Sequence, residues 1–348
     1  MDLINATSRK RQTYQVNIKY SLLWESALGI AAITNTPLLD SLEQPEQYWK
    51  KTRSSLSDNM KQQLNWVEKH NTWKALLQLL HQQDFSSLEE FTAFIHDLNK
   101  EEFRYICIPF VGSEVQEERR HTANGDEKAL EKLKEKTKDN PFFPQYIEYV
   151  CKEEVDVLKS HLIDVMTGWY LAVILSDEER VKTILHTDML AKLSAKEKMK
   201  PEALVEWATS GVHYVPEPDV HHVLLIPHMV YRPWSIVADL EDTKVFYYPV
   251  SNESIAPEDK YMPNNFLVLR HKALGDEMRL RMIKLLSEGS RSLNELTELL
   301  DLGKSTIHHH LKLLRSAQLV EVKDSRYVLK KQALLSLANE LDLYIHQD

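Results

Sequence analysis

Residues 291–331 read RSLNELTELLDLGKSTIHHHLKLLRSAQLVEVKDSRYVLKK, and the punctuation of this stretch decides the fold of the C-terminal part of the chain. Ser292 and Glu295 have the S-x-x-E spacing of a capping box, in which a hydroxyl and a carboxylate satisfy the free amides at a helix start. A helix of about two turns therefore begins here, with Leu293, Leu296, Leu299 and Leu300 on one side. Asp301 to Lys304 make a turn, Gly303 serves as the next N-cap, and Thr306 to about Ser316 forms a second amphipathic helix. LVEVKDSRYVLKK (319–331) then reads as two short strands around Asp324-Ser325, a β-hairpin wing with Lys323 and Arg326 near its tip.

The second helix sorts its own side chains. At roughly 100° per residue from Ile307, Leu311 falls near 40°, Leu314 near 340° and His310 near 300°, while Ser305, His308, His309 and Lys312 fall between about 100° and 200°. Ile307, Leu311 and Leu314 are thus expected in the core, with His310 beside them. The outward face carries a hydroxyl, two imidazoles and an ammonium without a carboxylate, which suits base edges and phosphates. Lys304, Ser305, Thr306, His308, His309, Lys312 and Arg315 are the expected DNA-contacting residues of this helix, joined by Lys323 and Arg326 of the wing. The histidine triplet is a poor chelate, because neighbouring helical side chains diverge by about 100° and a ligand pair needs i,i+4 spacing.

Upstream, LRHKALGDEMRLRMIKLLSEG (269–289) gives two helices separated near Gly275-Asp276, with Leu280, Ile283 and Leu286 as an apolar stripe. Downstream, a final helix from about Gln332 to Ile345 places Leu334, Leu337, Leu341 and Ile345 on one side, a face that needs a partner surface. The net charge of −9 is unevenly spread: residues 266–348 hold 13 Lys+Arg against 11 Asp+Glu, and the remainder holds 30 against 41. Phosphate contacts depend on local charge, so the acidic total does not exclude a nucleic-acid partner.

The rest of the chain has a different composition. All 13 prolines and all seven tryptophans precede residue 264, and the polar segment SNESIAPEDKYMPNN (251–265) is the expected linker. Residues 1–12 read as a frayed tail and 13–250 as one regulatory or dimerisation domain. Its periodicity is helical in 66–83, 87–98 and 146–175; the charged stretch 113–139, broken at Asn124-Gly125, suggests an exposed helical hairpin or a mobile excursion. GVHYVP, HHVLLIP, WSIVADL and KVFYYPV, between 211 and 250, are expected to form a small antiparallel sheet. The expected fold is mainly α (α+β): a large helical N-terminal domain with a small sheet, then a winged helix-turn-helix at 266–348. Cys107 and Cys151 sit in apolar stretches and read as reduced core thiols, and the apolar runs such as YLAVIL (170–175) are too short to span a bilayer, so a cytoplasmic protein with no membrane partner is expected.

Residues 266–331 resemble the winged helix-turn-helix of the arsenical-resistance-repressor (ArsR) family of bacterial regulators. The resemblance is carried by Ala273-Leu274-Gly275-Asp276, Arg279-Leu280-Arg281, the Leu293 to Leu300 helix, Ser305-Thr306-Ile307, His310-Leu311-Lys312 and Leu319-Val320. It implies a homodimeric transcription factor, usually a repressor, with the helices around Phe266–Leu274 and Gln332–Ile345 at the dimer contact. The chain departs from the pattern in several places. SLNELTELLDL lacks the cysteines of the family's metal sensors, Asp301 and Gln318 stand where glycines are usual, and the wing is shorter. LLWESAL (22–28) and the YYP at 247–249 resemble the N-terminal domain of some larger members, which points to no particular ligand.

The expected function is sequence-specific binding of double-stranded operator DNA by a homodimer, with the N-terminal domain dimerising or sensing a small-molecule effector and with no cofactor. An enzyme is not expected: there are eight glycines and no GxGxxG, GxxxxGK[ST], GxSxG or HExxH. Two alternatives stand beside it, an enzyme fused to a DNA-binding module and a metal sensor using His213, His221, His222 and His228.

Overall fold

The computed structural model describes residues 13–259 and 261–346, so the expected tail at 1–12 lies outside the described residues. The N-terminal part begins with β1 (Gln15–Ile18), α1 (Leu22–Ile33), α2 (Thr36–Leu39), α3 (Glu46–Ser55), α4 (Asp58–His70) and α5 (Trp73–Leu80). It continues through α6 (Leu88–Asp97), α7 (Lys100–Cys107), α8 (Gln116–Ala123), α9 (Glu127–Lys136), α10 (Phe143–Lys152), α11 (Val155–Trp169), α12 (Glu178–Lys196) and α13 (Pro201–Ala208). Three strands close it: β2 (His222–His228), β3 (Ile236–Asp239) and β4 (Thr243–Pro249).

The centre of this part is α1. Its sequence LLWESALGIAAI is apolar all round rather than on one stripe, so it is buried on every side, packed between α5 and α11. Gly29 allows the close approach: a Cβ there would lie 2.8 Å from the Trp169 indole nitrogen. Glu25 is the polar exception on α1. Its carboxylate accepts the backbone amides of Met229 at 3.0 Å and Val230 at 2.8 Å, and burial pushes its pKa up to about 7. This contact ties α1 to the loop that follows β2.

The sheet corrects the sequence reading. Its order is β1-β2-β4-β3, with β1 parallel to β2, β2 parallel to β4 and only β3 antiparallel to β4. The antiparallel expectation fails because the connection from His228 to Thr243 is a crossover that lays β3 on the outer edge before β4 returns beside β2. The fourth strand also comes from the opposite end of the chain, at Gln15–Ile18, while GVHYVP (211–216) forms no strand. Tyr214 of that segment instead offers its carbonyl to the Tyr14 hydroxyl at 3.1 Å. Residues 113–139 form the hairpin of α8 and α9, closed into the domain by buried Ala123, Leu130 and Leu133 rather than standing off it. Cys107 is buried and Cys151 half-buried, both as free thiols.

The run Val155–Lys196 is helical throughout, with a π-helical turn at Tyr170–Ile174, and is long and apolar enough by length and composition to cross a membrane. The expectation that every apolar run is too short has this exception. The helix also carries buried polar contacts of a core element: Lys159 donates to the carbonyl of His96 at 2.9 Å, and Asp188 lies 3.5 Å from Lys192 with both side chains buried.

Residues 251–265 are tied down at several points. α14 (Asn252–Ile255) is held by Asp188, whose Oδ1 accepts the Ser251 amide and the Ser254 hydroxyl, each at 2.9 Å. Arg232 donates to Asn252 and to the Val250 carbonyl, and Asn252 donates to the Pro263 carbonyl at 2.7 Å.

The C-terminal part consists of α15 (Asn265–Leu274), α16 (Glu277–Glu288), α17 (Leu293–Leu300), α18 (Lys304–Ser316), β5 (Val320–Lys323), β6 (Arg326–Leu329), α19 (Lys331–Leu335) and α20 (Leu337–Ile345). It has a separate core built on Met282, Ile283, Leu286, Leu296, Ile307, Leu311 and Leu314. Two expected core residues lie outside it: Leu280 is 49% and Leu299 57% exposed, because Met282 and buried Leu296, with Leu293 and Leu300 packed beside it, fill the space. The final helix is broken at Ser336 into α19 and α20 rather than continuous.

Candidate nucleic-acid interface

The helix-turn-helix is fixed by its caps. The capping box is closed in both directions, with Glu295 N–H donating to the Ser292 hydroxyl at 3.3 Å and Ser292 N–H donating to the Glu295 carboxylate at 2.6 Å. Asp301 ends α17 in the left-handed region at φ 51°, and Gly303 N-caps α18. Gln318, after α18, has φ 56°. The two residues that replace the usual turn glycines therefore adopt backbone conformations that glycine takes without strain.

Upstream, Asp276 caps α16 by accepting the Arg279 amide at 3.0 Å, and Arg279 donates to the Ala273 and Lys272 carbonyls at 2.6 and 3.0 Å. This D-x-x-R pair fixes the angle between α15 and α16. Its N-cap spacing was present in the sequence without a role attached.

Ile307, Leu311 and Leu314 are buried, as the helical angles require. His310 turns inward beside them, its ring nitrogen 3.8 Å from Asp276 Oδ1; burial lowers its pKa, with the Asp276 carboxylate opposing. Lys304, Ser305, Thr306, His308 and His309 are all exposed and make one continuous face on the N-terminal half of α18, with no carboxylate among them. That is the half which meets base edges when a recognition helix enters a major groove.

The other expected residues are placed differently. Lys312 is half-buried and donates to the Pro37 carbonyl at 2.8 Å, and the Arg315 guanidinium lies 5.9 Å from the centre of the Trp234 ring. On the wing, Asp324 and Ser325 have φ of 49° and 59°, the two positive values of a type I′ turn. Lys323 is exposed and paired with Glu321 at 2.7 Å. Arg326 points back to α17, where it donates to both Glu295 oxygens at 2.9 and 2.7 Å and to the Ser290 carbonyl at 2.9 Å. The structure thus gathers five of the nine residues on one open face, turns two toward the N-terminal part and leaves two on the wing. Pro37 and Trp234 carried no sequence signal as partners of this helix, because they are remote in the chain.

The four histidines around the sheet are dispersed in character: His213 is exposed and 3.4 Å from Glu206, His221 is exposed, His222 half-buried and His228 fully buried. Burial lowers the pKa of His228 to about 3. Among the described residues, no group of three His, Cys, Asp or Glu side chains could hold a metal ion.

The model of a family described as bacterial regulatory protein, arsR family, matches residues 276–322, from the cap of α16 to the middle of β5. No curated protein and no solved structure matches the chain. The matched residues contain the capped helix pair and the exposed face of α18, so the C-terminal part of this chain is an ArsR-like helix-turn-helix of a DNA-binding transcriptional regulator.

Proposed function

We propose that the chain binds double-stranded operator DNA as a homodimer in the cytoplasm and represses transcription, with the N-terminal domain responding to a small-molecule effector. The observation that carries the reading is the exposed, carboxylate-free face Lys304, Ser305, Thr306, His308 and His309 at the start of α18, within the matched residues. Homodimer formation is supported by α20, whose Leu341 and Ile345, one turn apart on one face, are exposed at 38% and 63%. Its inner side is already anchored, Arg270 of α15 being paired with Glu340 and Tyr344 donating to the Tyr261 carbonyl at 2.8 Å. An effector has room in a half-open cavity of about 250 Å³ at the end of β1 and the start of α1, lined by Tyr20, Leu23, Trp24, Leu80 and Phe85 among others.

The test is retention and sequencing of genomic DNA fragments on the full chain, with light scattering to count protomers. Enrichment of a two-fold-symmetric site by a dimer is the expected result. Retention with no sequence preference, or none at all, would sink the reading.

A further inference from the structure

The C-terminal half of the recognition helix is covered by the chain's own N-terminal part. Lys312 shares the outward face of α18 with His308 and His309, yet its ammonium is bound to the Pro37 carbonyl at the start of α2. Asp40, at the end of α2, adds its negative charge to the same ammonium. One turn on, Arg315 lies over Trp234, and the Trp234 indole is held against the segment after α2 by a 3.0 Å bond to the Ser41 hydroxyl. Pro37, Asp40, Ser41 and Trp234 therefore belong to one patch, in which a carbonyl and an aromatic face meet two cations and a carboxylate nearby adds its field. A second tether lies nearby, where Lys330 at the end of the wing donates to the Gly211 carbonyl.

These acceptors occupy the side chains that phosphate oxygens would take. Space argues the same way. A B-form major groove is about 12 Å wide and a helix with its side chains is about 10–12 Å across, so the groove admits the helix with nothing packed alongside it. A helix flanked by α2 and the Trp234 loop cannot seat its full length.

We propose that the patch Pro37, Asp40, Ser41 and Trp234 is an autoinhibitory clamp on the recognition helix, which must be released before α18 enters a major groove. The clamp rests on the DNA-binding reading and adds to it a closed state held by the chain itself. Pro37 and Asp40 follow α1, and Trp234 sits in the loop whose amides Glu25 of α1 holds, so both halves of the clamp are mounted on the same buried helix. A change that moves α1 relative to that loop would part them. The N-terminal excess of acidic residues favours the closed state by attraction for the weakly basic winged helix, and salt weakens that attraction.

The test uses the full chain and its Asp40→Lys variant, an exposed position that keeps the fold while repelling Lys312. Each is acetylated with an amine-reactive ester, and Lys312 labelling is compared by peptide mass spectrometry with that of exposed Lys304. Each is also titrated against a fluorescein-labelled mixed-sequence duplex of about 30 base pairs, long enough for two half-sites. The expected result is slow Lys312 labelling in the parent, fast labelling in the variant, and duplex affinity raised at least about fivefold. Lys312 labelling as fast as Lys304 in the parent overturns the clamp, and so does equal duplex affinity of the two chains. Duplex binding by neither chain overturns the DNA-binding reading and the clamp with it.

Discussion

Arg326 on the wing and Glu295 in the first turn of α17 are joined by two bonds of 2.9 and 2.7 Å, so the carboxylate that closes the capping box also anchors the hairpin. Both side chains remain about two-fifths exposed, so the pair works as a geometric link rather than a large source of stability.

The Ser292 amide and Arg326 guanidinium hold the Glu295 carboxyl down at about 2, below its ordinary 4.5. A depressed carboxylate contributes stability above its unfolded pKa and loses it as pH falls through the folded one. The melting temperature of the parent chain should therefore fall between about pH 4.5 and about pH 2 more steeply than that of Glu295→Gln. Parallel curves would show that the carboxylate is not held.

Gln318 sits at φ 56° after the recognition helix. Glycine takes that conformation without a Cβ penalty, partly offset by its greater freedom in the unfolded chain. Gln318→Gly is expected to stabilise the winged helix by about 0.5–1 kcal/mol, read as a higher urea midpoint. A lower midpoint would contradict the left-handed assignment.

Burial raises Glu25 from 4.5 to about 7, the opposite sign. Its contribution is complete below about pH 4.5 and lost as pH rises through about 7, on the order of 3 kcal/mol in total. Urea unfolding of the parent should weaken across that window, and Glu25→Gln should remove this dependence. A variant with the parent's pH profile would remove Glu25 from the account.

On the open face of α18, Lys304→Ala should flatten the dependence of DNA affinity on salt by about one phosphate contact. His309→Ala should weaken binding to the selected site by about tenfold, with less effect on mixed sequence. Both side chains are exposed, so the melting temperature should hold in each. Unaltered affinity and salt slope in the two variants would remove this face from the DNA interface.

The apolar face of α20 is expected to hold the dimer. Ile345 lies one turn from Leu341 on that face and is 63% exposed in the single chain, so Ile345→Glu should halve the mass seen by light scattering while the far-UV circular dichroism holds. A parent chain that is already monomeric, or a variant that stays dimeric, would place the contact elsewhere.

What the sequence determined by itself was local. Ser292 and Glu295 spaced for a cap, Gly303 before a helix, and the 3.6-residue period of Ile307, Leu311 and Leu314 fix the helix-turn-helix through contacts within a few residues of one another. The inward turn of His310 and the exposure of His308 and His309 followed from the same period. What tertiary structure decided was every relation between distant segments. β1 joined β2 from some 200 residues away and made the sheet largely parallel, a pairing that the alternation of short strands cannot encode. Met282 displaced Leu280 from the core because the neighbouring helices, not the stripe alone, set which side faces inward. Lys312 met Pro37, and Arg326 met Glu295, for the same reason: a long cationic side chain takes whichever acceptor the fold brings within reach, and that acceptor has no fixed distance along the chain.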